Sequence, residues 1–254
     1  MSTRPGELTD LARETNADLL VVVGGDGSVN EVVNGTAGRG VELAVLAQGT
    51  GKDFARTHGL PTRFDEAVHV AQVGRVRELD LGRVTFDDGE RYFANVASLG
   101  MSGAVAERAN SMSKALGGKA TFFYALTREF LTWRNTGVSV RLDGAERSGR
   151  MHDVVVANGR FHGGGMKLAP DAAADDGLFD VLLIGDVSKL DFVTTAPKLY
   201  RGTHVTHPKV EILRSAFVEV DADATLPIET DGELVGATPA RFEIVPRALR
   251  LRVP

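Results

Sequence analysis

Two apolar strands that each run into a glycine loop and leave on a helix constrain this chain more than any other feature. The first stretch is VVVGGDGSVNEVVNG, residues 21 to 35, and the second is AQGTGKDFARTHGLP, residues 47 to 61. A turn needs one glycine; two before an aspartate describe backbone that something approaches closely. The strand expected over residues 18 to 23 is apolar from Leu19 to Val23, as a strand covered on both faces is. Ser28 stands where it caps a helix over residues 28 to 37, and Glu31, three residues on, completes a capping-box pattern. Helix N-termini attract anions because unpaired amides and the dipole point outward. Glycine lets a phosphate reach those amides with no Cβ in the way. A plain strand-to-helix turn with an incidental Asp26 stays open, because an aspartate beside bare phosphate needs magnesium or ordered water between them. No Gly-Lys-Ser/Thr follows, so this is not a Walker A loop. In the second stretch a strand ends at Leu46, Gly49-Thr50-Gly51 turns, and Asp53 begins a helix. Two such loops leaving parallel strands sit at the carboxyl edge of one sheet, where open α/β folds bind ligands. The pair points to a nucleotide phosphate site.

Organisation changes near residue 79. Before it, helices around 5 to 15, 28 to 37 and 63 to 72 alternate with strands 18 to 23 and 42 to 46, which reads as open α/β. After it come short strands split by turn dipeptides: 79 to 86, 91 to 98, 137 to 142, 151 to 157, 179 to 184, 209 to 214, 216 to 221, 241 to 245 and 249 to 253. These read as a larger, mostly antiparallel β-rich domain, interrupted by a helical insertion around residues 103 to 133. The expected domains are therefore 1–78 and 79–254.

Composition excludes several classes. A net charge of -5 gives no general basic surface for nucleic acid. The absence of cysteine removes disulfides and thiol chemistry, and the six histidines are unclustered, so no zinc site is expected. No apolar run reaches the roughly 18 to 20 residues of a membrane helix, and the first residues, MSTRP, lack the apolar core of a signal peptide. A cytoplasmic location is the expectation.

Five Asp-Gly pairs begin at Asp26, Asp88, Asp143, Asp176 and Asp231. Between alternating strands such a pair is above all a hairpin turn, and that reading suffices for Asp88 and Asp143. Asp231 differs, because Glu229, Asp231 and Glu233 alternate at period two and share one face if the backbone is extended. Crowded carboxylates raise one another's pKa, which suits one of them to act as a base.

The residues resemble a known family. GGDG with Asn-Glu downstream, followed by the GTG-x-DFAR loop, is similar to the soluble diacylglycerol kinases and related lipid kinases, of the superfamily that also holds NAD kinases. The likeness continues through YFANVASLGMSGAVAE, VVVANGRFHGGGMKLAPDAAADDGLFDVLLI and IETDGELVGATPARFEIVP. It implies an ATP-dependent kinase acting on a hydroxyl of diacylglycerol or a related lipid, with nucleotide between an α/β domain and a β-rich domain. Matched by position, Gly24, Gly25, Asp26, Gly27, Ser28, Glu31 and Thr50 would hold ATP, and Thr3 aligns with a nucleotide-contacting threonine. Asp26 and Asp53 match acidic positions tied to catalytic magnesium and its waters. Asp231 matches the general base, with Glu233 in its magnesium and water network. Asp176, with the carbonyls of Ala173 and Leu178, matches a structural magnesium site; a turn closing a hairpin is the plain alternative, and the two are compatible.

A lipid substrate implies contact with a membrane surface. Residues 108 to 135 carry Arg108, Lys114, Lys119, Arg128 and Arg134 against the single acid Glu129, with Phe122, Phe123, Tyr124, Leu126, Phe130, Leu131 and Trp133 among them. Such a segment suits an anionic bilayer and equally an ordinary helix packed on a core. Two departures from the family pattern stand out. Lys52 replaces the usual asparagine of GTGND. Family members also begin with a strand, an Asn-Pro glycine loop, a helix and a second strand before the region matching residues 3 to 20, so a truncated first domain is expected, with self-association through a strand left without neighbours. The rival readings are a weak relative that binds nucleotide or lipid without turnover, and an NAD kinase, which the DFAR loop and GRFHGGGMKLAP fit poorly.

Overall fold

A computed structural model describes residues 4, 6–112 and 118–254. Leu19–Gly24 (β1) and Glu42–Ala47 (β2) pair in parallel. Asp26–Thr36 (α2) connects them, and its Val29, Val32 and Val33 pack with Val22, Leu43 and Val45. Glu7–Glu14 (α1) closes this core through Leu8 and Ala12. Its approach depends on Gly35, where a Cβ would stand 2.5 Å from the Thr9 carbonyl oxygen. Asp53–His58 (α3) follows the second glycine loop, and Phe64–Val73 (α4) lays Ala67 and Ala71 on Ala44 and Leu46 of the opposite sheet face.

The chain then enters Arg75–Phe86 (β3), which turns back as Gly89–Phe93 (β4). β3 lies antiparallel along the final strand, Ala240–Val253 (β14). The other edge of β14 meets β2 in parallel at Arg250 and Leu251, and Phe217–Ala222 (β11) antiparallel at Ala240 to Glu243. One long strand therefore joins the parallel part of the sheet to its antiparallel part. The two strands expected over 241 to 245 and 249 to 253 are this single strand, interrupted by a register shift between Val245 and Leu249 where Arg247 has φ 51°. Thr136–Leu142 (β6) and Ala145–Met151 (β7) complete the eight-stranded first sheet beyond β11.

The second sheet is wholly antiparallel. It holds Val96–Gly100 (β5), Asp153–Ala157 (β8), Phe179–Ile184 (β9), Val210–Ser215 (β10), Pro227–Thr230 (β12) and Glu233–Ala237 (β13), in the order β10-β9-β8-β5-β12-β13. Val84, Val140, Val220 and Phe242 of the first sheet pack against Leu99, Val156, Phe179 and Ile228 of the second. Burying these side chains is the main favourable term holding the sheets together. The strand expected over 91 to 98 is two strands, because the chain leaves the first sheet at Phe93 and enters the second at Val96.

The helical insertion comprises Met101–Ser111 (α5) and Gly118–Thr132 (α6). Lys189–Leu199 (α7), not anticipated from the sequence, packs Phe192 on Phe130 with ring centroids 5.1 Å apart. It buries no residue fully, so its apolar periodicity is weak. β7 also went unanticipated, since it is a largely exposed edge strand without apolar alternation. No helix among the described residues is long and apolar enough to cross a membrane.

Candidate active site

α2 begins at Asp26 with Gly25 as its N-cap and no side-chain cap. The expected capping box is thus corrected. Ser28 lies inside the first turn, so close to Gly24 that a Cβ there would stand 2.6 Å from the Ser28 Oγ. Glu31 turns to α1 instead: its Oε2 accepts the Leu8 amide at 3.0 Å, and its carbonyl accepts the Thr9 hydroxyl at 2.9 Å. The first amides of α2 receive no capping side chain, and Gly25 and Gly27 leave them open to an anion.

The second glycine loop is pressed against the first. A Cβ on Gly49 would stand 2.5 Å from the Gly25 Cα, so both loops need glycine for their contact. Thr50 is exposed at the loop. Asp26 Oδ1 accepts the Phe54 amide at 3.0 Å, and its Oδ2 lies over Gly51, 2.5 Å from where a Cβ would be. Asp53 is buried; its Oδ1 pairs with Arg56 at 2.9 Å and its Oδ2 accepts the Gly164 amide at 2.7 Å. Asp26 and Asp53 therefore flank the same glycine.

Asp231 arrives at this cluster from the far end of the chain. The period-two expectation is corrected here, because the backbone is not extended: Asp231 has φ 50° and Gly232 φ 92°, forming a two-residue turn between β12 and β13. The turn delivers the Asp231 carboxylate to the crossing between the sheets. Oδ2 accepts the Ala94 amide at 2.8 Å and Asn30 Nδ2 at 3.1 Å; Oδ1 accepts the amides of Asn95 at 2.9 Å and Val96 at 3.0 Å. Burial pushes this carboxyl above the ordinary aspartate range, opposed by those four donors. Glu233 is exposed, with Oε1 3.3 Å from the Cβ position of Gly27.

Glu229, by contrast, is fully buried. Its Oε1 accepts the Ser98 hydroxyl and lies 3.1 Å from His162 Nε2, while Oε2 accepts the Gly232 amide at 2.8 Å. Burial drives the Glu229 carboxyl upward, but His162, Ser98 and Gly232 together hold it below its ordinary value. His162 moves the other way. Burial lowers it, yet Glu229, with Asp53 and Asp231 adding to the field, raises it to about 9. Asp153 beside Ser102 is pushed up to about 8 by burial.

Asp26 and Asp53 thus flank Gly51, Glu233 lies beside Gly27, and Asp231 reaches α2 at Asn30, one turn beyond the first glycine loop. Thr3 and Lys114 lie outside the described residues, as do the side chains of Lys119 and Phe122. Asp176 lies elsewhere in the fold, where Oδ1 accepts the Leu178 amide at 3.1 Å and Oδ2 pairs with Arg214. Among the described residues no group of three or more His, Cys, Asp and Glu forms a metal-binding cluster. Sequence reasoning missed Asn30, Ser98 and His162. Asn30 had a findable signal, since Asp26, Asn30 and Asn34 recur every four residues on one helix face. Asn34 uses that position to bind Tyr92 through its amide at 2.9 Å and its carbonyl at 2.9 Å.

The fold matches that of solved kinases. The crystal structure of a diacylglycerol kinase from Bacillus anthracis str. Sterne superimposes with a TM-score of 0.74 at 20% identity, covering 100% of this chain and 83% of that one. An α/β part and an antiparallel part sharing one long strand, with carboxylates gathered at glycine loops, place the protein in that fold class. The diacylglycerol kinase catalytic domain model matches residues 1–84, and the YegS C-terminal NAD kinase beta sandwich-like domain model matches residues 95–253. The chain is 32% identical over 242 residues to a diacylglycerol kinase of Mycobacterium tuberculosis, covering 93% of this chain and 77% of the relative. It is 30% identical over 260 residues to a diacylglycerol kinase of Bacillus subtilis, covering 100% and 84%. It is 31% identical over 253 residues to a probable YegS-like lipid kinase of Stenotrophomonas maltophilia, covering 96% and 81%. The chain belongs to the diacylglycerol kinase and YegS-like lipid kinase family. It is a lipid kinase, a phosphotransferase with an alcohol group as acceptor.

Proposed function

We propose that the chain transfers the γ-phosphoryl group of ATP to a hydroxyl of diacylglycerol or a closely related lipid, with Asp231 as general base. One observation carries this reading: Asp231 bonds Asn30 of the helix that leaves the GGDG loop, across 201 positions of sequence. The base candidate is thereby fixed beside the uncapped helix start that suits phosphate oxygens. The amides of Asp26, Gly27 and Ser28 would bind phosphate. Asp26 Oδ2 supplies a hard oxygen of the kind magnesium takes, with Asp53 and Glu233 in the same network. When bound, the ion would neutralise charge on the phosphates.

Taking the acceptor proton requires Asp231 to free one of four occupied lone-pair positions. Three donors are backbone amides and stay put. Asn30 can yield, since the Tyr92 carbonyl is a second acceptor for its Nδ2 at 3.4 Å. The upward displacement of the Asp231 carboxyl by burial favours the protonated product of that step.

The lipid would reach the cleft from a membrane surface. Phe123, Tyr124 and Leu131 on α6 are exposed, as are Leu190 and Val193 on the adjoining α7. Arg128 and Arg134 are exposed and make no ion pair among the described residues, whereas Arg108 is engaged by Glu129. Exposed aromatic and aliphatic side chains beside free cations suit an anionic lipid surface. At the Asp176 turn, a second magnesium would replace Arg214 as counter-charge, held by Asp176 and the carbonyls of Ala173 and Leu178.

Asp231→Asn tests the chemistry. Asparagine tolerates the positive φ, so the turn is kept while the base is removed. We expect kcat for diacylglycerol in mixed micelles to fall roughly 10²- to 10⁴-fold, with the ATP KM within about threefold. Turnover equal to that of the unaltered protein would end the assignment of Asp231 as base.

A further inference from the structure

We propose that His162 is a catalytic residue of the phosphoryl transfer, presenting its free ring N–H to an oxygen of the group in flight. This rests on the kinase reading above and adds a cation to a site otherwise described by its carboxylates. His162 lies in the loop between β8 and β9, which is clamped from both parts of the fold. The amides of Asn158 and Gly159 donate to the Asn95 carbonyl at 2.8 and 2.7 Å. Arg160 Nη2 donates to the Thr57 carbonyl at 3.2 Å, and Gly164 donates to Asp53. His162 and Met166 exchange backbone hydrogen bonds of 2.9 and 3.0 Å, closing a tight turn. Gly163, Gly164 and Gly165, at φ 62°, 83° and 110°, allow that turn. The loop therefore holds the imidazole at a fixed place between the GTG-loop aspartate and the turn carrying Asp231.

The two ring nitrogens have different fates. Nε2 lies against Glu229, whose side chain is 2% exposed and whose other oxygen is held by Gly232. Nδ1 has no partner among the described residues, and the side chain keeps 17% of its surface open. A histidine against a buried carboxylate stays protonated, so Nδ1–H is a charged donor that no group among the described residues accepts. Gly164, two residues on, donates to Asp53, and Glu229 holds the amide of Gly232 beside Asp231, so the ring sits between these two carboxylates, and both act on it electrostatically. Those carboxylates repel a phosphoryl group whose negative charge is spread over its equatorial oxygens; a preorganised cation there offsets that repulsion. Glu229 is a positioning residue in this scheme, since it touches His162 and the Asp231 turn rather than the substrate.

The test compares His162→Gln and His162→Ala with the unaltered protein by two measurements. The first is kcat and KM in mixed micelles of diacylglycerol. The second is the affinity for magnesium ADP by calorimetry, with and without aluminium fluoride, which mimics a phosphoryl group in transfer. We expect kcat to fall roughly 10²- to 10³-fold, as for loss of one preorganised donor. The ADP affinity and melting temperature should hold, and the extra affinity that fluoride confers on the unaltered protein should vanish in both variants. The assignment is overturned if either variant keeps the fluoride-dependent gain, if the unaltered protein shows none, or if loss of kcat only tracks lost ADP affinity and lost stability. The fluoride measurement needs no lipid, so an inactive acceptor assay overturns the diacylglycerol reading alone and leaves His162 to be decided by ADP binding.

Discussion

At the start of α7, Ser188 Oγ accepts the Asp191 amide at 3.1 Å and Asp191 Oδ2 accepts the Ser188 amide at 2.9 Å, a complete capping box. At the start of α2, Gly25 has no side chain to offer and Ser28 lies too far into the helix to cap it. Both helices have 11 residues, so length does not explain the difference; packing does. α7 buries no residue fully and holds its exposed N-terminus with its own side chains. α2 is held by packing, through Val29, Val32 and Val33 beneath and α1 alongside, so its first amides can stay without internal acceptors. A missing cap of about 1 kcal/mol is tolerated where a ligand supplies the acceptor.

The largest effect is expected from disturbing the open end. Gly49→Ala would place a methyl 2.5 Å from the Gly25 Cα, a backbone atom that cannot move aside without opening the loop. Overpacking of this kind costs about 1 to 3 kcal/mol, so ATP affinity should fall roughly ten- to a hundredfold. Calorimetry with magnesium ATP checks it. Unchanged affinity would mean that the contact between the two loops does not shape the nucleotide site.

The same contrast shows what the sequence made legible. The parallel strands, both glycine loops and the antiparallel second half follow from local pattern, because apolar periodicity and paired glycines are properties of neighbouring residues. The spacing of Ser28 and Glu31 predicts a capping box that α2 lacks, because spacing does not reveal where a helix begins. Helix start was decided by Gly25, and Glu31 was drawn away by the Leu8 amide of α1. The Asp231 turn was half legible: DGE marked a special position, but φ 50° shows a turn where alternation suggested a strand. Glu229 stood out beside Asp231, but its pairing with His162 was hidden, since the two lie 67 positions apart and only the fold joins them. Long-range pairs of polar side chains leave no periodic trace.

A smaller effect separates the two serines. Ser188→Ala removes the cap of α7 and should cost about 1 kcal/mol, lowering Tm by roughly 2 to 4 °C for a chain of this size, with kcat unaffected. Ser28→Ala leaves no cap broken, so its Tm should stay within about 1 °C on the same scale. Calorimetric melting of both variants decides the matter; equal losses would erase the distinction drawn between the two helix starts.

The smallest effect concerns Lys52, the N-cap of α3, which sits at φ 56° and ψ 32°. This left-handed conformation costs an ordinary L-residue about 1 to 2 kcal/mol, while asparagine occupies it far more readily. At this position of this chain an asparagine would lower a backbone cost, separately from any contact with nucleotide. Lys52 makes no ion pair with Asp26 or Asp53, or with any other acid among the described residues. Lys52→Asn should then stabilise the protein by roughly 0.5 kcal/mol, seen as a Tm higher by about 1 to 2 °C, with ATP affinity unchanged. If instead ATP affinity drops about tenfold, the 1.4 kcal/mol lost belongs to an ammonium–phosphate contact. Lys52 would then have kept its strained conformation because the nucleotide holds it there.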